Sequence, residues 1–363
     1  MPEALRQIQF HEIAFWAEDD HAAALDAFRR SAREILTQGH AFQRATLFGG
    51  EREDWLPVCE AAWAADNARR FFEMHFVPFR VSDREQPSGL FTGYYEPQVQ
   101  GRRAADKRFC VPIYKKPEDL TSFARDESAS VGFSYGRRLN GKPTAYFTRK
   151  EIEAGALSGR GLEICHLESW VDAFFIHVQG SARVTLPDGN MLRLSYAAKN
   201  GHAYSGIGAA LLARGVGTPA TMSMQFLRNW MADHPEQMRE LLWSNDSFVF
   251  FREIQEENES LGAIGAAKVN LSPLRSLAVD RRHWIFGTPL FVETHAPPEA
   301  PGGAIPFQRL MIAQDTGSAI KGIVRGDIYW GWGDEAAMNA GHMKSPGKMV
   351  ALLPKLVAQR LSL

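Results

Sequence analysis

Three aspartates that could do acid–base chemistry lie in one short stretch near the C-terminal end of the sequence. Asp315 stands in Asp-Thr-Gly-Ser, Asp327 in Gly-Asp-Ile-Tyr and Asp334 in Trp-Gly-Asp-Glu. The chain from Asp315 to Asp327 would span roughly 40 Å if fully extended. The two carboxylates can therefore share a site only if the chain folds back between them, and Gly322 and Gly326 make such a reversal easy.

If Asp315 and Asp327 meet, one carboxylate raises the pKa of the other, and the apolar residues after Asp327 add desolvation in the same direction. A carboxylic acid that stays protonated near neutral pH can act as a general acid. An aspartate beside a glycine is also ordinary turn chemistry. For these two residues both interpretations stay open, whereas Asp334 is predicted to be the N-cap of a short helix.

Two further segments could bind a polar ligand. Thr92 and Tyr94 lie in a strand-like Thr-Gly-Tyr-Tyr, which offers a hydroxyl and rings on which a sugar can stack, although one of the two tyrosines is expected in the core. Gln179 and Ser181 flank a glycine and are predicted to lie on one side of a strand, where a ligand could approach the backbone. A simple bulge at this glycine is the alternative.

Lys199 belongs to Lys-Asn-Gly-His, a turn signal from which its ammonium group could touch a polar ligand. His166, His177 and His202 are dispersed and show no metal-binding spacing, so we predict no catalytic metal and no cofactor. The glycine-rich segment at 260–270 lacks the spacing of a phosphate-binding loop.

Composition excludes some partners. The 363 residues carry 41 basic and 42 acidic side chains, so no global field attracts nucleic acid. Three distant cysteines argue against a zinc ribbon and allow at most one disulfide. There is no apolar run of transmembrane length and no signal-peptide pattern at the start, and composition alone leaves the compartment open.

The elements that must position these residues change along the chain. A helix is expected over 19–36 with the Asp-Asp pair as its cap, and a second over about 54–76. Short strands follow over 85–194, with a Pro-Asp-Gly hairpin at 187–189. Two helices with a break near 233–235 are expected over 218–245, and strands resume after 249. We therefore predict a mainly β fold with helical segments (α+β) and barrel-like sheets, and not a doubly wound parallel sheet.

Two competing functions are open at this point. An aspartic peptidase of the pepsin type needs two Asp-Thr/Ser-Gly elements that share a proton, and only Asp315 has that context. A non-catalytic carbohydrate-binding protein would need only the aromatic and amide side chains.

Seven motifs, taken in order, are similar to those of the MltA-type lytic murein transglycosylases, the membrane-bound lytic transglycosylase A family. The similarity extends from about Gly89 to Leu353, and the order of the motifs makes it specific. The motifs are LFTGYYEP, PIYKKP, FIHVQGSARV, SYAAKNGHAYSGIG, MSMQFLRNW, NDSFVFF and LMIAQDTGSAIKGIVRGDIYWGWGDEA.

This resemblance implies two domains with a substrate groove between them. A double-psi β-barrel domain would comprise 1–96, including the helical N-terminal region, and 215–363, and a small β-domain would be inserted at 97–214. The resemblance also implies cleavage of the β-1,4 bond between N-acetylmuramic acid and N-acetylglucosamine in peptidoglycan without water, which leaves a 1,6-anhydro sugar.

Carried over to this sequence, the resemblance makes Asp327 the catalytic aspartate and Asp315 its second aspartate. Thr92, Gln179 and Ser181 match positions that line the groove, and Tyr94 and Lys199 are expected to bind substrate beside them. Peptidoglycan glycan strands are the implied partner, with cell-wall synthesis or division proteins as further candidates. A periplasmic monomer, associated with the outer membrane, is the expected form.

Overall fold

The computed structural model describes residues 4–83, 88–219, 221–255, 258, 260–297 and 305–361. These residues divide into two compact units, Met1–Tyr95 with Ser260–Leu363, and Glu96–Glu259. The second unit ends at Glu259 and not at the expected Arg214. The reason is that the strand over 249–254 pairs with the strand over 191–199 inside the second unit.

Strands form the framework of both units. In chain order they are β1 (Leu5–Gln7), β2 (Phe76–Val81), β3 (Gly89–Glu96), β4 (Gln98–Arg102), β5 (Val111–Tyr114), β6 (Thr121–Ser122), β7 (Tyr135–Leu139), β8 (Lys142–Ala145), β9 (Glu163–Leu167), β10 (Ser181–Thr185), β11 (Met191–Lys199), β12 (Val249–Ile254), β13 (Ser276–Val279), β14 (Pro289–Ala296), β15 (Ile305–Asp315), β16 (Arg325–Trp332) and β17 (Lys344–Pro354).

Helices surround these sheets. They are α1 (His21–Thr37), α2 (Arg52–Ala64), α3 (Ala68–His75), α4 (Arg125–Val131), α5 (Arg149–Glu151), α6 (Trp170–Gln179), α7 (Ile207–Ala213), α8 (Met224–Asp233), α9 (Pro235–Trp243), α10 (Gly333–His342) and α11 (Lys355–Leu361). Short 3-10 helices at Phe10–Glu12 and His40–Phe42 and a π-helical turn at Ile152–Ala156 complete the set. Within the described ranges, no helix combines the length and the apolar character that a bilayer span requires.

The first unit contains a closed β-barrel of six strands. Their order is β17-β14-β15-β13-β16-β3, and β3 pairs back to β17. β17 closes the ring because its residues 344–347 pair with β3 and its residues 348–351 pair with β14. Closure leaves the six strands without a free edge. The predicted fold class, an α+β protein built on a barrel, is confirmed.

The N-terminal helices pack on this barrel as the sequence pattern requires. Asp20 accepts a hydrogen bond from the backbone N–H of Ala23 at 3.1 Å, which confirms the predicted cap of α1. Phe28 and Ile35 on α1 are fully buried in the same core as Trp284. The second predicted helix is instead two helices, α2 and α3, because Asn67 caps α3 through the backbone N–H of Arg70.

The second unit is built on a six-stranded sheet of order β12-β11-β10-β4-β9-β5, with a separate three-stranded sheet, β6-β7-β8. β10 and β11 form the predicted hairpin, whose turn is closed by a hydrogen bond from the Leu186 N–H to the Asn190 carbonyl at 2.9 Å. The predicted pair of helices near the end of the unit is confirmed as α8 and α9, which meet at His234.

One predicted strand in the second unit is wrong. The segment before Gly180 is the helix α6, which Ser169 caps through the Asp172 N–H and which Gly180 ends with a φ of 81°. Gln179 is therefore the last helical residue and Ser181 the first residue of β10, so they do not share one side of a strand. A short apolar run suits a buried helix as well as a strand, and the Ser169 cap decides between them.

Candidate active site

Asp315 and Asp327 lie in register on two barrel strands that share β13 as their neighbour. Ala278 of β13 is the pairing partner of Asp315 on β15 and of Asp327 on β16. Adjacent strands are about 4.8 Å apart, so the two aspartate Cα atoms lie roughly 10 Å apart. Paired residues point to the same face of a sheet. The chain thus folds back as the shared site requires, with β13 between the two aspartates.

The carboxylate of Asp327 is held by Thr92 on β3. The Thr92 hydroxyl donates a hydrogen bond to Oδ1 of Asp327. In turn, Nη2 of Arg325 donates to the Thr92 hydroxyl oxygen at 2.7 Å. Arg325 and Asp327 are two residues apart on β16 and therefore point to the same face. The three side chains form a continuous hydrogen-bonded set beside Asp315.

The surroundings of Asp327 favour its protonated form. Its side chain is half-buried. Burial raises the pKa of Asp327, and the positive charge of Arg325 and the hydrogen bond from Thr92 lower it only in part, so that the net shift is upward. A carboxylic acid with a raised pKa, held by one oxygen and half-open to solvent, can donate a proton to a ligand.

Asp315 is anchored by the backbone. Its Oδ1 accepts hydrogen bonds from the N–H groups of Ala266 and Thr316, both at 2.9 Å. Burial raises the pKa of Asp315, these two hydrogen bonds lower it, and the charge of Asp327 raises it; the net shift is upward. Asp315 is therefore a fixed acidic group that faces the same side of the barrel as Asp327.

Tyr94 lies in the same cluster, two residues after Thr92 on β3. Its ring packs against Tyr329 with 5.3 Å between the centroids. Burial raises the pKa of the Tyr94 hydroxyl well above its ordinary value, and the charges of Asp315 and Asp327 act in the same direction. The hydroxyl therefore stays protonated, close to both aspartates. The sequence predicts that one of the two tyrosines is a core residue, whereas the structure buries both Tyr94 and Tyr95.

Comparisons with known proteins agree with this geometry. Residues 90–252 match the family model of the MltA specific insert domain, and residues 275–353 match that of the 3D domain. The membrane-bound lytic murein transglycosylase A of Escherichia coli K12 is 38% identical over 313 residues, which are 84% of this chain and 77% of that protein. The chain belongs to the MltA family of lytic murein transglycosylases.

Other members of the MltA family support the same assignment. The membrane-bound lytic murein transglycosylase A of Vibrio cholerae is 33% identical over 268 residues, which are 73% of this chain and 65% of that protein. A crystal structure of a membrane-bound lytic murein transglycosylase from Agrobacterium tumefaciens has a TM-score of 0.88 at 38% identity and covers 98% of this chain and 99% of its own. A crystal structure of E. coli MltA with bound chitohexaose has a TM-score of 0.69 at 30% identity. The match covers 98% of this chain and 95% of the E. coli chain. The predicted family and enzyme class are confirmed.

The structure assigns the third aspartate of this MltA stretch a local role that differs from the predicted one. Asp334 is not the N-cap of α10, because the cap is Trp332 and the helix begins at Gly333. Asp334 lies in the first helical turn, where a carboxylate stabilises the positive end of the helix dipole. The cap moves toward the N-terminus because Gly333, with a φ of 84°, lets the chain turn directly from β16 into the helix.

The remaining predicted binding residues lie in the second unit. Gln179 ends α6, and Ser181 is buried at the start of β10, opposite Ser195 on β11. Lys199 is half-buried at the end of β11 and pairs with Val249. The structure thus brings Thr92, Tyr94 and the two aspartates together in the first unit, and the binding roles of the three residues of the second unit stay predictions.

Sequence reasoning missed Arg325, although a signal was present. Alternation along β16 places Arg325, Asp327 and Tyr329 on one face, so an Arg-x-Asp pair on a strand indicates a cation beside the acid. The contact from the N–H of Ala266 is not predicted by the sequence either, because the glycine-rich pattern of 260–270 bears only on phosphate binding. Backbone donors of this kind carry no sequence signal.

Thiol chemistry has little place in the described structure. Cys59, Cys110 and Cys165 are all free, so the single disulfide that the count allows does not form. Burial raises the pKa of the Cys59 and Cys165 thiols to about 12, which keeps both protonated at neutral pH. Within the described residues, no three His, Cys, Asp or Glu side chains are grouped so that they could hold a metal ion.

Proposed function

We propose that this protein cleaves the β-1,4 bond between N-acetylmuramic acid and N-acetylglucosamine in peptidoglycan and forms 1,6-anhydromuramoyl products, with Asp327 as the acid and then the base. The observation that supports this proposal most directly is the half-buried carboxyl of Asp327. Its pKa is raised by burial, and one of its oxygens is held by Thr92. The neighbouring Asp315 is anchored on the same face of the barrel.

The reaction needs one acid–base group. Protonated Asp327 donates its proton to the glycosidic oxygen while the bond from that oxygen to C1 of the muramoyl sugar breaks. The muramoyl C6 hydroxyl oxygen then bonds to C1, and its proton passes to the Asp327 carboxylate, which restores the acid. Because the nucleophile belongs to the substrate, no water is consumed, and the second carboxylate of ordinary glycoside hydrolysis is not required.

A pH dependence follows from the raised pKa of Asp327. The free enzyme must hold Asp327 protonated, so kcat/KM is expected to fall as the pH rises through the pKa of Asp327. Since that pKa lies above the ordinary aspartate value, the enzyme stays active at pH values at which a solvated aspartate has lost its proton. Initial rates of anhydromuropeptide release across the acidic and neutral range test this. A decline centred on the ordinary aspartate pKa would contradict it.

Asp315 is proposed to tune Asp327. Asp315→Asn is expected to lower kcat by about 10-fold, less than a change at Asp327, because Asp315 acts through its charge and not by proton transfer. If the charge of Asp315 raises the pKa of Asp327, as the tuning role requires, the fall in kcat/KM moves to lower pH in this variant. Rate–pH profiles of the variant measure both effects. A loss as large as that of Asp327→Asn would contradict the helper role.

The proposed substrate is the glycan strand of peptidoglycan. The E. coli relative was crystallised with a bound chitohexaose, which is also an oligosaccharide. Thr92, Tyr94, Gln179, Ser181 and Lys199 are proposed to contact the strand. The relatives are named membrane-bound, which supports a periplasmic protein associated with the outer membrane. Action as a monomer, together with cell-wall synthesis or division proteins, completes the proposal.

Mass spectrometry of purified murein sacculi after incubation with the protein tests the function. The proposal predicts soluble muropeptides that end in 1,6-anhydromuramic acid. Products with a free reducing end would indicate hydrolysis, and cleaved peptide stems on intact glycan would indicate the peptidase chemistry suggested by Asp-Thr-Gly. Binding to sacculi without soluble products would indicate a carbohydrate-binding protein. Any of these three results would overturn the proposal.

A further inference from the structure

Arg325 is tied to the candidate catalytic aspartate through a single hydroxyl group. Its Nη2 donates to the Thr92 oxygen at 2.7 Å, while Nη1 donates to the carbonyls of Leu90 at 3.3 Å and of Gly326. Burial lowers the pKa of Arg325, and the charge of Asp327 opposes this shift. A guanidinium stays charged in proteins and can only donate hydrogen bonds.

This arrangement gives the hydrogen bonds a direction. Thr92 accepts from Arg325, so its own hydrogen is available for Oδ1 of Asp327. If the acid proton of Asp327 were on Oδ1, Thr92 would have to accept from both neighbours, and its hydrogen would lose this acceptor, which costs a hydrogen bond. The reactive proton is therefore favoured on Oδ2, to which no residue of the described chain donates a hydrogen bond.

We infer that Arg325 is a positioning residue that acts through Thr92 to keep the reactive proton of Asp327 on Oδ2, the oxygen that Thr92 does not hold. This inference rests on the proposed lytic transglycosylase function. We call Arg325, Thr92 and Asp327 the hydrogen-bond relay, because Arg325 acts on Asp327 through the Thr92 hydroxyl and no proton moves along it. Its function is to hold one oxygen of the carboxyl group as a permanent acceptor.

The same hydrogen bonds serve both halves of the reaction. Oδ1 accepts from Thr92 when Asp327 is the acid and also when it is the carboxylate, so neither Thr92 nor Arg325 has to turn between the two steps. Oδ2 loses its proton to the glycosidic oxygen and regains one from the C6 hydroxyl. A site that needs no reorganisation between steps lowers both barriers.

Other charged groups around Asp327 set the background for a test by pH. Tyr94 on β3 and Asp315 on β15 face the same cluster, and their interactions with Asp327 raise the pKa values of these groups. Lys344 on β17 is the pairing partner of Thr92 on β3. Arg325 is the cation whose charge lowers the pKa of Asp327. Its removal therefore moves this pKa upward.

The test uses the full chain and measures anhydromuropeptide release from purified sacculi as a function of pH. Arg325→Met and Thr92→Val are each expected to lower kcat by about 10-fold, because a hydrogen bond to a charged group is lost, and KM stays nearly unchanged in Arg325→Met. In both variants the fall in kcat/KM moves to higher pH. Thr92→Ser restores the hydroxyl and is expected to recover most of the rate, and Arg325→Lys recovers the pH profile more fully than the rate.

The double variant Arg325→Met with Thr92→Val separates a relay from two independent effects. If Arg325 acts through Thr92, the double variant is about as slow as Thr92→Val alone. Losses of rate that multiply would overturn the inference, and so would a wild-type rate and pH profile in Arg325→Met.

Arg309→Met is the matched control. Arg309 is also a half-buried arginine on a barrel strand, and it lies six residues before Asp315 on β15, roughly 20 Å along the strand. Its loss is expected to leave the pH profile unchanged. If Arg325→Met lowers the Tm, Arg325→Lys and Thr92→Ser still test the relay.

Asp327→Asn distinguishes a failure of the proposed function from a failure of the relay. Full activity of Asp327→Asn would overturn the proposed function, whereas an inactive Asp327→Asn together with an unaffected Arg325→Met would overturn only the relay.

Discussion

Asp327→Asn is expected to lower the rate of anhydromuropeptide release from purified sacculi by about 10²- to 10⁴-fold, the range of a lost general acid. The amide cannot supply the proton that the glycosidic oxygen needs, and it cannot take the proton of the C6 hydroxyl afterwards. Its oxygen can still accept the hydrogen bond that Thr92 donates to Asp327. The loss should therefore appear in kcat, while KM and the Tm stay close to those of the wild type.

Asp334→Asn provides the matched control for this prediction. It makes the same chemical change seven residues later on α10, in the first turn of a helix and outside the proposed catalytic group. Release of anhydromuropeptides by this variant should match the wild type. Substantial activity in Asp327→Asn, measured by mass spectrometry of the digest, would refute the assignment of the acid–base role.

Glu96→Gln is expected to lower the free energy of unfolding of the second unit by about 3–5 kcal/mol, the range for breaking a buried ion pair. Glu96 is 0% exposed and accepts from Nε of Arg183 at 2.7 Å and from Nη2 of Arg193 at 3.2 Å. The change removes the carboxylate charge to which the buried guanidinium groups of Arg183 and Arg193 both donate hydrogen bonds. Chemical denaturation monitored by tryptophan fluorescence measures the loss.

Glu253→Gln supplies the comparison within the same unit. Glu253 pairs with Arg103 at 2.6 Å, but the two side chains are 43% and 50% exposed. An exposed ion pair contributes about 0–1 kcal/mol, so this variant should unfold almost like the wild type. Equal losses in Glu96→Gln and Glu253→Gln would show that burial does not determine the contribution of the Glu96 pair.

Local features of the fold were predictable because they depend on neighbouring residues. The Asp20 cap of α1, the β10–β11 hairpin and the break between α8 and α9 each follow from the conformational preferences of a few residues. The strand predicted before Gly180 is wrong because neighbouring residues alone do not determine the conformation of this segment. Its apolar run is compatible with either element, and burial in the second unit together with the Ser169 cap favours the helix α6.

The sequence by itself determined which residues could do the chemistry. It supplied aspartates beside glycines, a Thr-Gly-Tyr-Tyr strand, and an ordered set of motifs similar to one family. The residues alone left Asp315 and Asp327 open to two interpretations, a turn residue or a carboxylic acid with a raised pKa, and the resemblance to the family favoured the second.

Only the tertiary structure decided how these residues meet. Thr92 and Asp327 are separated by 235 positions, and their hydrogen bond exists because β3 and β16 pair in the closed barrel. Ala278 holds the two aspartates in register for the same reason. Pairing between distant strands depends on the burial of the whole barrel core, and no local preference of Arg325 or Thr92 encodes it. The hydrogen-bond relay is therefore a property of the closed barrel, although its residue types are present in the sequence.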